Sequence, residues 1–273
     1  CGNWWNGIAV DGSERNELVN NTVCDNGQNG ILLTNSAHNN LTNNLAYNNT
    51  LSGINLTGSS WNTLFNNTAR DNLGNGISLT DSHDLNLTNN IAFNNTLNGI
   101  LLTNVTGSNL TGNNASYNGF SGIGLVNSDK NNLISNIANN NTQNGISLTN
   151  SSNTVVFNNT ARFNQQDGIL LNQSSNGNNI TENRVCGNWW NGIAVDGSER
   201  NELVNNTVCD NGQNGILLTN SDHNNLTGNL AYNNTLSGLN LTSSSWNTLF
   251  NNTARDNLGN GISLTDSHDL NLT

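Results

Sequence analysis

The chain has 273 residues and a formal net charge of −11, with seven Lys plus Arg against 18 Asp plus Glu. That balance leaves no basic patch to neutralise phosphates, which argues against nucleic acid and against an anionic membrane surface as partners. No apolar run approaches the roughly 18 residues of a spanning helix, so no membrane insertion is expected.

Asparagine supplies 69 residues, Pro and Met are absent and 9% of the chain is charged, a composition that suggests disorder in an aperiodic sequence. This sequence is periodic. Gly followed by Ile or Leu recurs at Gly7, Gly30, Gly53, Gly76, Gly99, Gly122, Gly145, Gly168, Gly192, Gly215, Gly238 and Gly261, at steps of 23 residues except for one step of 24 after Gly168. A repeat of this length from end to end predicts one solenoid domain over 1–273.

Each unit can be numbered from its glycine. Position 2 is Ile, or Leu in the case of Leu239, and position 4 is Leu or Val, giving the two-residue period of a short strand. Position 7 is Ser except at Val105, and is assigned to a corner. Position 9 is the variable column that gathers polar and aromatic groups: Arg15, His38, Trp61 and Asp84, then again Arg200, His223, Trp246 and Asp269. A Trp platform beside a cation, an imidazole and a carboxylate is what a carbohydrate-binding groove uses. The bland reading of the same column is a solvated turn whose identities drift.

Position 11 carries Asn40, Asn86, Asn225 and Asn271 in Asn-x-Thr sequons. Strand alternation turns them outward from the apolar residue at position 12, so they are the candidate glycosylation sites. Position 15 is Asn in every unit that reaches it, and position 20 is Asn from Asn3 and Asn26 through Asn257. Asn tolerates the left-handed conformation at a sharp bend, and its amide can bond along a ladder of identical neighbours, so both columns are assigned to corner posts. Ala or Val at position 17 completes a third strand.

A unit this small cannot bury its own apolar face. Coils must therefore stack, with like residues about 4.8 Å apart in parallel strands. Cys1, Cys24, Cys186 and Cys209 all fall at position 18 in two pairs on successive coils. At that spacing each pair lies within the roughly 4.4–6.8 Å Cα window of a disulfide, which predicts Cys1–Cys24 and Cys186–Cys209 and an oxidising, extracellular compartment.

The Gly-Ile-x-Leu units with their Asn columns resemble the right-handed parallel β-helix repeats of carbohydrate-binding and sugar-hydrolase proteins, including the NosD-type repeats and archaeal cell-surface β-helix proteins. The resemblance covers the whole chain. It implies an all-β, right-handed parallel β-helix of about 12 coils with three short strands per coil. It leaves activity open, because the family holds lyases, hydrolases, epimerases, adhesins and plain scaffolds.

Residues 1–88 and 186–273 match at 84 of 88 positions, an offset of 185 residues or eight units plus the inserted residue. Copying of this kind suits scaffolds and filaments better than a single placed constellation, and it suggests a window of a longer array. No Cys or His completes a tetrahedral metal set, no motif supports calcium among the acidic turns, and no cofactor is expected. Asp81 with Asp84, and Glu14 with Glu17, each share one bend and lack an evident acid/base environment, so no catalytic residues are assigned.

The sequence therefore predicts a non-enzymatic, self-associating structural protein of a prokaryotic cell surface, of the archaeal kind the resemblance names, that builds a layer, sheath or filament. A carbohydrate-binding or adhesive module is the alternative. A polysaccharide lyase or hydrolase is the third reading.

Overall fold

The computed structural model describes residues 1–273 and contains strands, turns and bends with no helix. Each complete unit forms one coil, exemplified by the strands Ile8–Asp11, Glu17–Val19 and Thr22–Cys24. Equivalent strands pair in parallel from coil to coil. The first sheet has 12 strands, from Ile8–Asp11 to Ile262–Thr265, and the second has 12, from Glu17–Val19 to Asn271–Leu272. The third wall is two five-stranded sheets, separated where Ile137 makes only isolated bridges to Asn114 and Thr160.

The register sets like against like: Ile77 pairs with Ile100, Leu79 with Leu102 and Ala92 with Ala115. Within a strand the pleat alternates, so Ile100 and Leu102 are fully buried while Leu101 and Thr103 face outward. The inward residues form one cluster of 43 buried apolar side chains along the stack. Burial of each Ile or Leu contributes about 1.5–3 kcal/mol.

The corners differ from the expectation in one respect. The left-handed conformation falls at positions 6, 9, 14 and 19, not at positions 15 and 20. In one coil it is held by Asn35, His38, Asn43 and Asn48, with φ of 47°, 56°, 56° and 53°. The residues that follow them, Ser36, Asn39, Asn44 and Asn49, are buried. A positive φ bends the chain and turns the next side chain inward, so each corner is a pair: a left-handed residue, then a buried polar one.

Those buried residues form the ladders. Asn67 donates its backbone N–H to Asn90 Oδ1 at 2.9 Å, and its Nδ2 to the same oxygen at 3.0 Å and to the Leu41 carbonyl at 2.8 Å. Ser36 N–H donates to Ser59 Oγ at 3.0 Å. Two ladders went unpredicted. One is at position 10, where Asn39 N–H donates to Asn62 Oδ1 at 2.6 Å. The other is at position 23, where the sense reverses: Asn29 donates N–H and Nδ2 back to Asn6 Oδ1 at 3.0 and 3.1 Å. Backbone bonding also continues through the bends, with 110 of 179 backbone hydrogen bonds lying outside the strand pairings. Buried amides that would each cost about 1–3 kcal/mol if left unpaired are thereby satisfied.

The inserted residue lies in the bend after Ile169–Asn172, where Gln173 and Ser174 are both left-handed. The ladders step across it by 24 residues, as from Ser151 N–H to Ser175 Oγ at 3.1 Å. The local cost is visible in two buried atoms without partners, Asn172 Oδ1 and Asn178 Nδ2. The two disulfides Cys1–Cys24 and Cys186–Cys209 join successive coils, with Cα atoms 4.5 Å apart in each.

Candidate functional site

The position-9 residues stand on the corner between the first and second sheets, and all eight named ones are left-handed, with φ between 51° and 58°. Gly107, Asn153 and Gly177 occupy the same corner in other coils. Gly and Asn adopt this conformation at little cost, whereas a bulky side chain held there costs on the order of 1–3 kcal/mol. Trp61 and Trp246 are therefore expensive choices for a bend.

The stack brings the aromatic members together. His38 lies parallel to Trp61 with ring centroids 5.2 Å apart, and His83 meets Trp61 at right angles with centroids 4.4 Å apart. His83 Nδ1 lies 2.9 Å from Asp84 Oδ2. In the second copy His223 stacks on Trp246 at 5.2 Å. Trp61 and Trp246 remain about half exposed, at 48% and 52%. The column is a ridge, and none of these residues lines a cavity. Arg15 and Arg200 extend it at the preceding coils, where Arg200 pairs with Glu199 at 3.3 Å.

The position-11 asparagines lie on the outer face of the second sheet, Asn86 and Asn271 exposed and Asn40 and Asn225 half-buried. In three of these sequons the Thr hydroxyl donates to the Asn side-chain oxygen: Thr42 to Asn40 at 2.9 Å, Thr88 to Asn86 at 3.2 Å and Thr227 to Asn225 at 2.9 Å.

A further groove, of about 550 Å³, runs along the bend after the third wall and is lined by Asp71, Asn94, Thr96, Tyr117, Asn140 and Thr142 among others. Tyr117 stands there in the left-handed conformation, its ring 5.3 Å from Phe93. Nearby, Arg70 lies 4.6 Å over the Tyr47 ring and pairs with Asp71. Sequence reading did not single out this groove, because its residues come from positions 19 to 21 of several coils and share no motif.

Asp81 Oδ1 accepts from Asn104 Nδ2 at 2.9 Å and Asp84 faces His83, with both carboxylates on open corners. Asp25 lies beside Cys1 and Cys24, but those sulfurs are bonded to each other and offer no thiolate to a metal.

Twelve in-register parallel coils around a closed apolar core define a parallel β-helix. The chain belongs to the right handed beta helix region family, whose model matches residues 1–138, 52–208 and 130–273. No curated protein sequence matches it. Among solved structures it is similar to the mannuronan C-5 epimerase AlgE6 A-module of Azotobacter vinelandii, at 15% identity and a TM-score of 0.64, covering 90% of this chain and 83% of that one. It is also similar to the periplasmic alginate epimerase AlgG (14% identity, TM-score 0.62, covering 89% and 76%). The Dettilon tailspike protein matches at 13% identity and a TM-score of 0.63, covering 94% and 61%. At such identities the likeness is one of fold.

Proposed function

We propose that this protein is an extracellular structural β-helix, a rigid acidic rod of a prokaryotic cell surface that associates with further copies into a layer, sheath or filament. The observation that carries this reading is the uniformity of the interior. The same buried ladders run through both near-identical copies and across the inserted residue, so the chain invests its buried polar groups in axial continuity. The two disulfides support an oxidising compartment outside the cytoplasm. Electron microscopy of native material tests the proposal: ordered fibres, tubes or sheets are expected, and dispersed single rods at all concentrations would overturn it.

Saccharide binding by the position-9 ridge is the second reading, favoured by bulky Trp61 and Trp246 at bends where Gly or Asn is cheaper. The two arrays lie eight coils apart, about 38 Å along one column, a spacing suited to two contacts with one linear polymer. The relatives named for epimerases and a tailspike supply a third reading, a polysaccharide-active enzyme. Its assays are release of new reducing ends or unsaturated sugars from polysaccharides and C-5 inversion of uronate residues followed by proton NMR, and neither change is expected.

A further inference from the structure

The position-23 column reads Asn6, Asn29, Ser52, Asn75, Asn98, Ser121, Asn144, Asp167, Asn191, Asn214, Ser237 and Asn260. Asp167 is the one acid in it. Its Oδ1 accepts from Asn191 N–H at 2.9 Å and from Asn191 Nδ2 at 3.0 Å, the bonds an Asn oxygen receives elsewhere in the column. The side chain is 5% exposed. For the ladder an Asn would serve equally well, without the cost of a buried carboxylate that has only neutral partners. Ladder stability therefore gives no reason for the acid.

Asp167 opens instead onto a dish of about 320 Å³ on the outer face of the first sheet. This is at the lower end of the roughly 300–1,000 Å³ of small-molecule sites. Leu170, Ala194 and Leu217 supply its apolar floor, and Trp190, 45% exposed, stands at its edge. Asp196 and Asn172 line it from the far end of the strands, and Asn172 Oδ1 is the buried acceptor left without a partner beside the inserted residue. No Lys or Arg lines the dish. The dish is composite: Trp190, Ala194, Asp196 and Leu217 belong to the second copy, whereas Asp167, Leu170 and Asn172 precede that copy.

We propose that this dish binds a positively charged amino sugar, with the pyranose face against Trp190 and the ammonium group toward Asp167. Aromatic stacking holds the apolar face of a sugar, and the indole ring also attracts a cation. The ammonium donates to the carboxylate oxygen that Asn191 leaves free and provides the countercharge this buried site lacks. The net charge of −11 concentrates cations at the surface and repels polyuronates. The specificity is thus opposite in sign to one for anionic polymers such as alginate and mannuronan. The site is separate from the position-9 ridge.

Binding of a glucosamine oligosaccharide to the whole chain, followed by calorimetry and Trp fluorescence, tests the proposal. Saturable binding is expected, weakened at least tenfold by Asp167→Asn and by Trp190→Ala and retained in the Trp61→Ala, Trp246→Ala double variant. Asp167→Asn restores the ladder residue found at Asn144 and Asn191, so its fold is preserved, and a cooperative melt at or above the parent's temperature checks this. The fully N-acetylated oligosaccharide and an oligouronate should bind at least tenfold more weakly. Absence of binding, equal affinity for the N-acetylated sugar, or affinity untouched by either dish substitution would overturn the assignment. Equal affinity for spermidine would overturn the sugar and leave only an ammonium site.

Discussion

Asp167 and Asn191 are joined by two hydrogen bonds to a single carboxylate oxygen, in a column where the neighbouring coils use an amide. Burial pushes the Asp167 carboxyl above the usual carboxylate range, and the side-chain and backbone hydrogen bonds from Asn191 partly oppose the rise. A folded-state value above the unfolded one means that the native protein holds its proton more tightly. Stability from this group is then fully present below the unfolded value and is lost as pH rises through the folded one. Melting temperature measured from acid to neutral pH should fall across that window in the parent, and Asp167→Asn should remove this component and melt a few degrees higher at neutral pH. A variant that melts lower than the parent at neutral pH would contradict the assigned cost.

Replacing Asn136 by Ala tests the ladders. Asn136 Nδ2 donates to Leu110 O at 2.8 Å and to Asn159 Oδ1 at 3.0 Å, and its Oδ1 accepts from Asn113 N–H at 2.9 Å. Truncation leaves the Leu110 carbonyl and the Asn113 N–H without these partners, at about 1–3 kcal/mol each. Denaturant unfolding should show a loss of about 3 kcal/mol or more, against less than about 0.5 kcal/mol for Ala at the exposed Thr96.

The apolar columns are tested by Ile100→Asp. Ile100 is fully buried and pairs with Ile77 and Ile123 in the first sheet. An unpaired carboxylate there costs several kcal/mol, and the loss of apolar burial adds to it. Circular dichroism melting should show a severely destabilised or unfolded protein, and an unchanged melting temperature would refute the register.

Trp61→Asn separates fold from function at the position-9 ridge. Asn153 holds the same bend with φ of 54°, close to the 56° of Trp61. The change gives up the His38 stack and relieves a bulky residue from a left-handed bend, so stability is expected to hold or to rise by up to about 1 kcal/mol. If the ridge binds saccharide, glycan-array retention drops in the same variant when combined with Trp246→Asn. Retention at the parental level would remove the ridge from consideration.

The bridge Cys186–Cys209 closes a 23-residue separation. Chain-entropy reasoning assigns a link of that length about 3 kcal/mol. The Cys186→Ser, Cys209→Ser pair should lose stability of that order while keeping its circular dichroism spectrum. Intact mass should rise by four hydrogens when the parent is fully reduced.

Much of the fold was legible because stacking turns sequence period into spatial column. Gly-Ile-x-Leu marked the first sheet, Leu, Val or Ile at position 12 the second, and the paired cysteines reported coil spacing directly. Corner chemistry was legible only in part. Asn at positions 15 and 20 signalled a ladder, but the positive φ belongs to the residue before, which is mostly Asn, Asp or Gly yet also Tyr117, Phe163 and Glu182, so the bend is marked only in part. The dish was hidden for a different reason. Asp167 reads as one drifting residue in an Asn column until burial shows it beside Trp190, and the apolar floor comes from three coils.

The reversed ladder at position 23 gives the molecule a direction. In the columns at positions 10, 15 and 20 the side-chain oxygens accept from the coil before, while at position 23 they accept from the coil after. Hydrogen-bonded amides in file polarise one another, and their dipoles add head to tail as they do along a helix. The two faces of a coil are therefore unlike: in these columns three side-chain oxygens turn toward the coil before and one toward the coil after.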